Sequence, residues 1–225
     1  MSKQLELLDL GLSISLVLRE AKPLSESEVS VMLAFMKESL DIKESKTKRL
    51  FVIAMIGLAG SGKSSVAQAL SEEIGATIVS YDKIRWELRK QNVGDKALGA
   101  IARGVTRWLT QQGSNVILDA DFIEAEARRD LRDKIRQKDA SVVFVRTYAD
   151  LDVIITRLKQ KPDAKISEMA NMLFKHYRVV GTKGRKRLVP RELSRILLLT
   201  SDIDTTKSED WQRKVKVFAQ ELLSS

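Results

Sequence analysis

The alternation of apolar runs with amphipathic stretches over residues 50–222 predicts an α/β fold, a doubly wound parallel sheet with helices on its faces. Three observations carry that expectation. LFVIAMI (50–56) is a continuous apolar run, the pattern of a strand buried on both sides. Stretches such as KSSVAQALSEEIG place apolar residues three and four apart, as a helix with one buried face does. The composition, 44% hydrophobic and 31% charged over 225 residues, suits one globular domain with a full core plus an appendage.

The elements follow in order. Residues 1–48 read as an N-terminal helical pair, divided at Pro23, and 49–225 as the main domain. The second helix opens on Ser25, with Glu28 three residues on, which is a capping box. Its Val29, Met32, Leu33, Met36 and Leu40 form an apolar stripe that needs cover, expected from the chain's own core. DIKESKTKR (41–49) is a polar linker. Then come LFVIAMI, the first strand; the helix KSSVAQALSEEIG; ATIVSYD, the second strand; and the helices DKIRWELRK and DKALGAIARGVTRWLTQQG. NVILDAD is the third strand, EAEARRDLRDKIRQK its helix, and SVVFVRTY the fourth strand. Helical DLDVIITRLKQK and DAKISEMANMLFKHYRVV precede a basic loop, GTKGRKRLVP. SRILLLTSD is the fifth strand and SEDWQRKVKVFAQELL the closing helix.

Composition narrows the chemistry. With no cysteine, disulfides and thiolate metal sites are excluded, and the single histidine, His176, makes no His-rich site. The net charge of +9 fits a polyanionic partner or basic residues spread over solvated helix faces. The N-terminal apolar stretch carries Glu6 and Asp9 and lacks a small-residue cleavage site, so no signal peptide or membrane partner is expected. The expected compartment is the cytoplasm.

The segment IGLAGSGKSS (56–65) carries the most specific signal. Gly57, Gly62, Lys63 and Ser64 satisfy G-x-x-x-x-G-K-[ST], with a strand before and a helix after. In this reading the backbone N–H groups of Gly60, Ser61, Gly62, Lys63, Ser64 and Ser65 wrap the phosphates of ATP, and the helix dipole favours their charge. Lys63 bridges the outer phosphates, and Ser64 offers its hydroxyl to Mg²⁺. Asp119, directly after the apolar run Val116–Leu118, is the expected second metal holder, ahead of Asp121. Asp82, placed at the end of the second strand, lies three residues before Arg85, so a helix there presents both on one face. The carboxylate suits a base for an acceptor hydroxyl, and the guanidinium suits an anionic acceptor.

Two other classes are weighed against this. A switch GTPase needs an N-K-x-D guanine reader, which is absent, and a glycine three residues after Asp119, where Phe122 stands. A nucleic-acid-associated ATPase draws support from GTKGRKR, with Lys183, Arg185, Lys186 and Arg187. Aromatic residues are only 5% of the chain, leaving little for base stacking, and Trp86 and Trp108 read as packing residues before stacking ones.

Taken in order, GLAGSGKSS, SYDKIR, VILDADFIEAEARRD and TRLKQK resemble the small P-loop kinases, a group that includes polynucleotide 5′-kinase, gluconate kinase, chloramphenicol phosphotransferase and zeta-toxin-like proteins. The resemblance covers about residues 50–222 and implies a P-loop NTPase with a five-stranded sheet in the order 2-3-1-4-5 and a helical lid. It implies Asp82 as general base, Arg85 and Arg129 on the acceptor, Asp119 beside the metal, and Arg157 as a lid arginine reaching the transferring group. The lid of such proteins often carries a second arginine four residues on, where this chain has Lys161. The sequence thus predicts an ATP- and Mg²⁺-dependent kinase for a hydroxyl acceptor. A polynucleotide 5′-end and a small metabolite or antibiotic both remain open.

Overall fold

The computed structural model describes residues 25–91, 93–135, 140–160, 177–182, 185–190 and 199–225. The expected first helix before Pro23, Lys161, His176, Lys183, and most of the segment read as DAKISEMANMLFKHYRVV lie outside these residues.

In chain order the elements are α1 (Glu26–Glu38), β1 (Leu50–Ile56), α2 (Lys63–Ile74), β2 (Ala76–Ser80), α3 (Tyr81–Lys90), a short 3₁₀ turn (Asp95–Ala97), α4 (Leu98–Gln111), β3 (Asn115–Asp119), α5 (Ala125–Ile135), β4 (Ala140–Tyr148), α6 (Leu151–Lys159), β5 (Tyr177–Thr182), β6 (Arg185–Pro190), β7 (Leu199–Asp204) and α7 (Ser208–Ser224). Five strands pair in parallel in the order β2-β3-β1-β4-β7. This is the expected order; the fifth strand of the sheet, β7, runs later than the SRILLLTSD read for it, whose residues 194–198 lie outside the described ones. The difference is an inserted antiparallel hairpin, β5–β6, where the sequence suggested the end of a helix and a basic loop.

The central strand divides the core because successive side chains of a strand point to opposite faces. Phe51, Ile53 and Met55 join Val66, Leu70 and Ile74 of α2 and Val215, Phe218 and Leu222 of α7. Val52, Ala54 and Ile56 join Ile84 and Leu88 of α3, Ile101, Val105 and Leu109 of α4, and Leu131 and Ile135 of α5.

Helix α1 belongs to the second cluster. Ser25 caps it, its hydroxyl accepting from the Glu28 N–H while the Glu28 carboxylate accepts from the Ser25 N–H at 2.8 Å. Met32 and Met36 are fully buried, and Val29, Leu33 and Leu40 pack on the same cluster, so the chain's own core covers the apolar stripe. The approach to α4 is close, since a Cβ at Gly104 would stand 2.6 Å from Leu33 Cδ2.

The linker after α1 is pinned across the start of the sheet. Buried Asn115 accepts from the Phe51 N–H at 2.9 Å and donates to Ser45 Oγ and to the Ile74 carbonyl. The Lys43 N–H donates to Thr77 Oγ1, and the Lys46 N–H to the Ile74 carbonyl. Among the described residues, no helix is long and apolar enough to cross a membrane.

Removing buried methylenes leaves a cavity that neighbours only partly refill. Met36→Ala is therefore expected to lower the unfolding free energy by about 2–5 kcal/mol, read as a shift in a urea melting midpoint. A loss under about 0.5 kcal/mol would show that α1 contributes little to the core.

Candidate active site

The turn after β1 reverses the chain through glycines. Gly57, Gly60 and Gly62 have φ of 150°, 82° and 89°, a region that side chains rarely enter. The space is also closed: a Cβ on Gly57 would lie 2.5 Å from the Thr147 carbonyl, and one on Gly62 would lie 2.8 Å from Thr205. Neighbours fix the turn in place. The Ser61 and Thr147 hydroxyls are 2.8 Å apart, Thr205 Oγ1 donates to the Ser61 carbonyl, and the Gly57 N–H donates to Asp121 Oδ1 at 3.1 Å.

Helix α2 starts at this turn without a capping side chain and without an acid in its first turn. Its first residue is Lys63, a cation at the end of the helix dipole that disfavours cations. Uncapped N–H groups with a lysine beside them form a site for an anion. Lys63 Nζ donates to the Gly57 and Leu58 carbonyls, so the ammonium is folded over the turn it would serve. Ser64 Oγ donates to Asp119 Oδ2 at 2.8 Å, bringing together the two residues expected at the metal.

The turn opens into a cavity of about 1020 Å³, which reaches from Gly60, Gly62, Lys63, Ser64 and Ser65 across Asp119 and Asp121 to Asp82 and Arg85. Asp82 is not the end of a strand, because β2 stops at Ser80, whose hydroxyl caps α3 and leaves Asp82 in the first helical turn. Arg85 bonds Asp82 at 2.5 Å and Asp95 at 3.0 Å. Arg157 also lines the cavity, braced by the Gly60 carbonyl at 3.1 Å and by the Thr205 hydroxyl and carbonyl. Burial holds its guanidinium below the ordinary value. Arg129 is exposed and outside the lining. Its neighbour Arg128 turns inward to the Phe122 and Ile123 carbonyls.

Several lining residues carried no signal in the sequence. Arg103, Thr106 and Arg107 of α4 and Asp130 and Lys134 of α5 also line the cavity, as do Thr205, just before α7, and Trp211 of α7. The hairpin adds a contact beyond the lining: Tyr177 donates its phenol proton to Asp121 Oδ2 at 3.2 Å. One Asp121 oxygen thus holds the glycine turn while the other holds the hairpin. From β6, Arg187 binds Asp150 and Asp204 and anchors the hairpin to the sheet.

The AAA domain family matches residues 52–178, more than half of the chain and all of this side of the site through Tyr177. The chain belongs to the AAA domain family. Solved structures agree on the fold. The AAA domain superposes on the Mycobacterium tuberculosis APS kinase CysC in complex with AMPPNP and APS, at 22% identity and a TM-score of 0.51, covering 79% of this chain and 99% of that one. It is also similar to the PezAT toxin–antitoxin structure of Streptococcus pneumoniae (14% identity, TM-score 0.53, 90% and 98% covered). The tunicamycin resistance protein of Deinococcus radiodurans gives 17% identity and a TM-score of 0.50, with 77% and 95% covered. At these identities the likeness shows a fold shared with P-loop kinases. Among curated proteins, uncharacterized proteins of Mycobacterium tuberculosis and Mycobacterium bovis are 27% identical over 128 residues, half of this chain. The chain spans about a quarter of the length of these relatives.

Burial, then the nearby Asp121 carboxylate, pushes the Tyr177 phenol well above its ordinary value near 10. A raised folded-state value means stability that is full below pH 10 and is lost as pH rises above it, where the unfolded phenol ionises first. Tyr177→Phe is expected to cost about 1 kcal/mol at pH 7 by removing one hydrogen bond. The variant should also lose less stability than the native chain between pH 9 and pH 11, as denaturation at each pH would show. Equal losses would place the alkaline titration elsewhere.

Proposed function

We propose that the chain is an ATP-dependent kinase that transfers the γ-phosphoryl group to a hydroxyl acceptor. The observation that carries this reading is the uncapped start of α2, with Lys63 and the Ser64–Asp119 pair, facing Asp82 and Arg85 across one cavity. That cavity is at the top of the roughly 300–1,000 Å³ range of single-ligand sites, which suits two substrates side by side.

The residues present fit Mg²⁺. Among the described residues no three His, Cys, Asp or Glu side chains could hold a metal together. Mg²⁺ is commonly bound by one or two carboxylates together with substrate phosphates, so the Ser64 hydroxyl and the Asp119 carboxylate are a sufficient protein contribution. The ion would supply neutralisation of charge on the phosphate oxygens.

The chain's own groups account for the remaining steps. The glycine turn and the first N–H groups of α2 hold the phosphates, and Lys63 exchanges its two loop carbonyls for the outer phosphate oxygens. Asp82, released from Arg85 when an acceptor enters, takes the proton of the acceptor hydroxyl. The acceptor oxygen bonds to the γ-phosphorus as the bond to the β-phosphate oxygen breaks, and ADP leaves with that electron pair. Arg157 serves this step from its place against Gly60, holding the turn from the α7 side. Arg85 orients the acceptor, whereas the exposed position of Arg129 argues against a share in it. The rival reading, a nucleic-acid-associated ATPase, rested on the basic run 183–187. Arg187 in that run is engaged by Asp150 and Asp204, which lends the rival no support.

Lys63→Ala should keep the fold and lower ATP consumption in the presence of acceptor by about 10²-fold or more. Near-native turnover in a folded variant would sink the kinase reading. Asp82→Asn should stop transfer and leave Mg·ATP affinity by calorimetry almost unchanged, whereas Asp119→Asn should weaken the gain in ATP affinity that Mg²⁺ brings. The reverse pattern would exchange the two roles.

A further inference from the structure

The cations on the acceptor side of the cavity are not in equivalent states. Arg85 is held by two carboxylates, Asp82 and Asp95. Lys134 is held by Asp130 at 2.5 Å, one helical turn away. Arg103 and Arg107, the two guanidinium groups that α4 contributes, form no hydrogen bond or ion pair among the described residues.

Their placement is specific. They stand four apart on α4, which brings their Cβ atoms within about 5–6 Å of each other on one face. Thr106 of the same helix also lines the cavity, its hydroxyl bonded to the Ala102 carbonyl. The opposite face of α4 is fixed: Ile101, Val105 and Leu109 are fully buried, and Leu33 of α1 presses against Gly104. Helix α4 therefore cannot roll to take the arginines out of the cavity without opening the core. Tyr81 lines the same wall, its phenol raised by burial, lowered by Arg103 and raised again by Asp130.

Two like charges on one helix turn repel, and that arrangement is relieved when an anion bridges them. A planar guanidinium fork matches the oxygens of a phosphate, sulfate or carboxylate. The anion is not the nucleotide's own phosphate, because α4 packs against β2 and β3, whereas the glycine turn and Lys63 follow β1.

We propose that the acceptor of this kinase carries an oxyanion group in addition to its hydroxyl, and that Arg103 and Arg107 bind that group. A neutral sugar or a neutral antibiotic would leave both guanidiniums without a partner, so the pair selects against such acceptors. This inference rests on the kinase reading and names the acceptor class of the same site.

The test uses the full chain and sulfate as the probe. The protein is first saturated with AMPPNP and Mg²⁺, which fills the glycine turn, and arginine Nε–H resonances are then followed as sulfate is titrated at constant ionic strength. Sulfate is expected to shift the Arg103 and Arg107 signals saturably. Arg103→Gln with Arg107→Gln should weaken its affinity by about tenfold or more. Arg213→Gln, which removes an exposed cation paired with Asp210 on α7, should leave the affinity unchanged. Both target arginines are exposed, so the double variant is expected to fold, and AMPPNP binding by that variant checks this directly. If AMPPNP binds and sulfate does not saturate, or binds equally well to the double variant, the oxyanion inference fails while the kinase reading stands. If the native chain does not bind AMPPNP at all, both fall together.

Discussion

Everything at the site depends on one constraint over the six residues Gly57–Gly62: the chain must leave β1, reverse, and enter α2 with its amide groups turned inward. Positive φ at Gly57, Gly60 and Gly62 makes this reversal sterically accessible. Three different parts of the sheet then hold it. Thr147 from β4, Thr205 after β7 and Asp121 after β3 each bond the turn directly. Arg157 of α6 joins Thr205 to Gly60. Through these contacts, strands that contribute no group to the proposed phosphate cradle still position it. They fix the height and tilt of the turn, and with it the N–H groups that would face an anion.

Much of the architecture was legible because its signals are local. Four of the five sheet strands announce themselves as apolar runs, whereas β7, LTSDID, holds only the end of the run read for it; the glycine turn is a spacing of a few residues between a strand and a helix. The capping box at Ser25 and Glu28 is equally local, and both of its hydrogen bonds are present. The hairpin was not legible. In YRVVGT and RKRLVP the alternation is broken by basic residues, and Tyr177 and Leu188 are its buried side chains among those described. A strand pair with so little buried surface reads as a loop, and only its partners, Asp121, Asp150 and Asp204, show what holds it.

The candidate site divides along the same line. The cradle residues and Asp119 follow from motif and strand ends. The α4 wall of the cavity does not, since Arg103 and Arg107 look in sequence like the solvated face of an amphipathic helix. Arg128 and Arg129 illustrate the difficulty. Adjacent residues on a helix differ by about 100° in direction, and the family resemblance pointed to the outward one. The pattern of backbone carbonyls at Phe122 and Ile123, which draws Arg128 inward, exists only after the chain has folded.

The packing of Leu33 against Gly104 places α1 directly behind the helix that carries Arg103 and Arg107. Yet α1 lies outside the stretch that matches the family, residues 52–178. The geometry of the α4 wall is therefore set partly by an element that does not line the cavity. Two such chains could share every lining residue and still differ in acceptor preference, if the helix behind the wall were a little thicker or thinner at one position. Varying Leu33 in size, rather than any residue of the cavity, would retune the proposed acceptor wall from the back while the groups proposed for catalysis stay as they are.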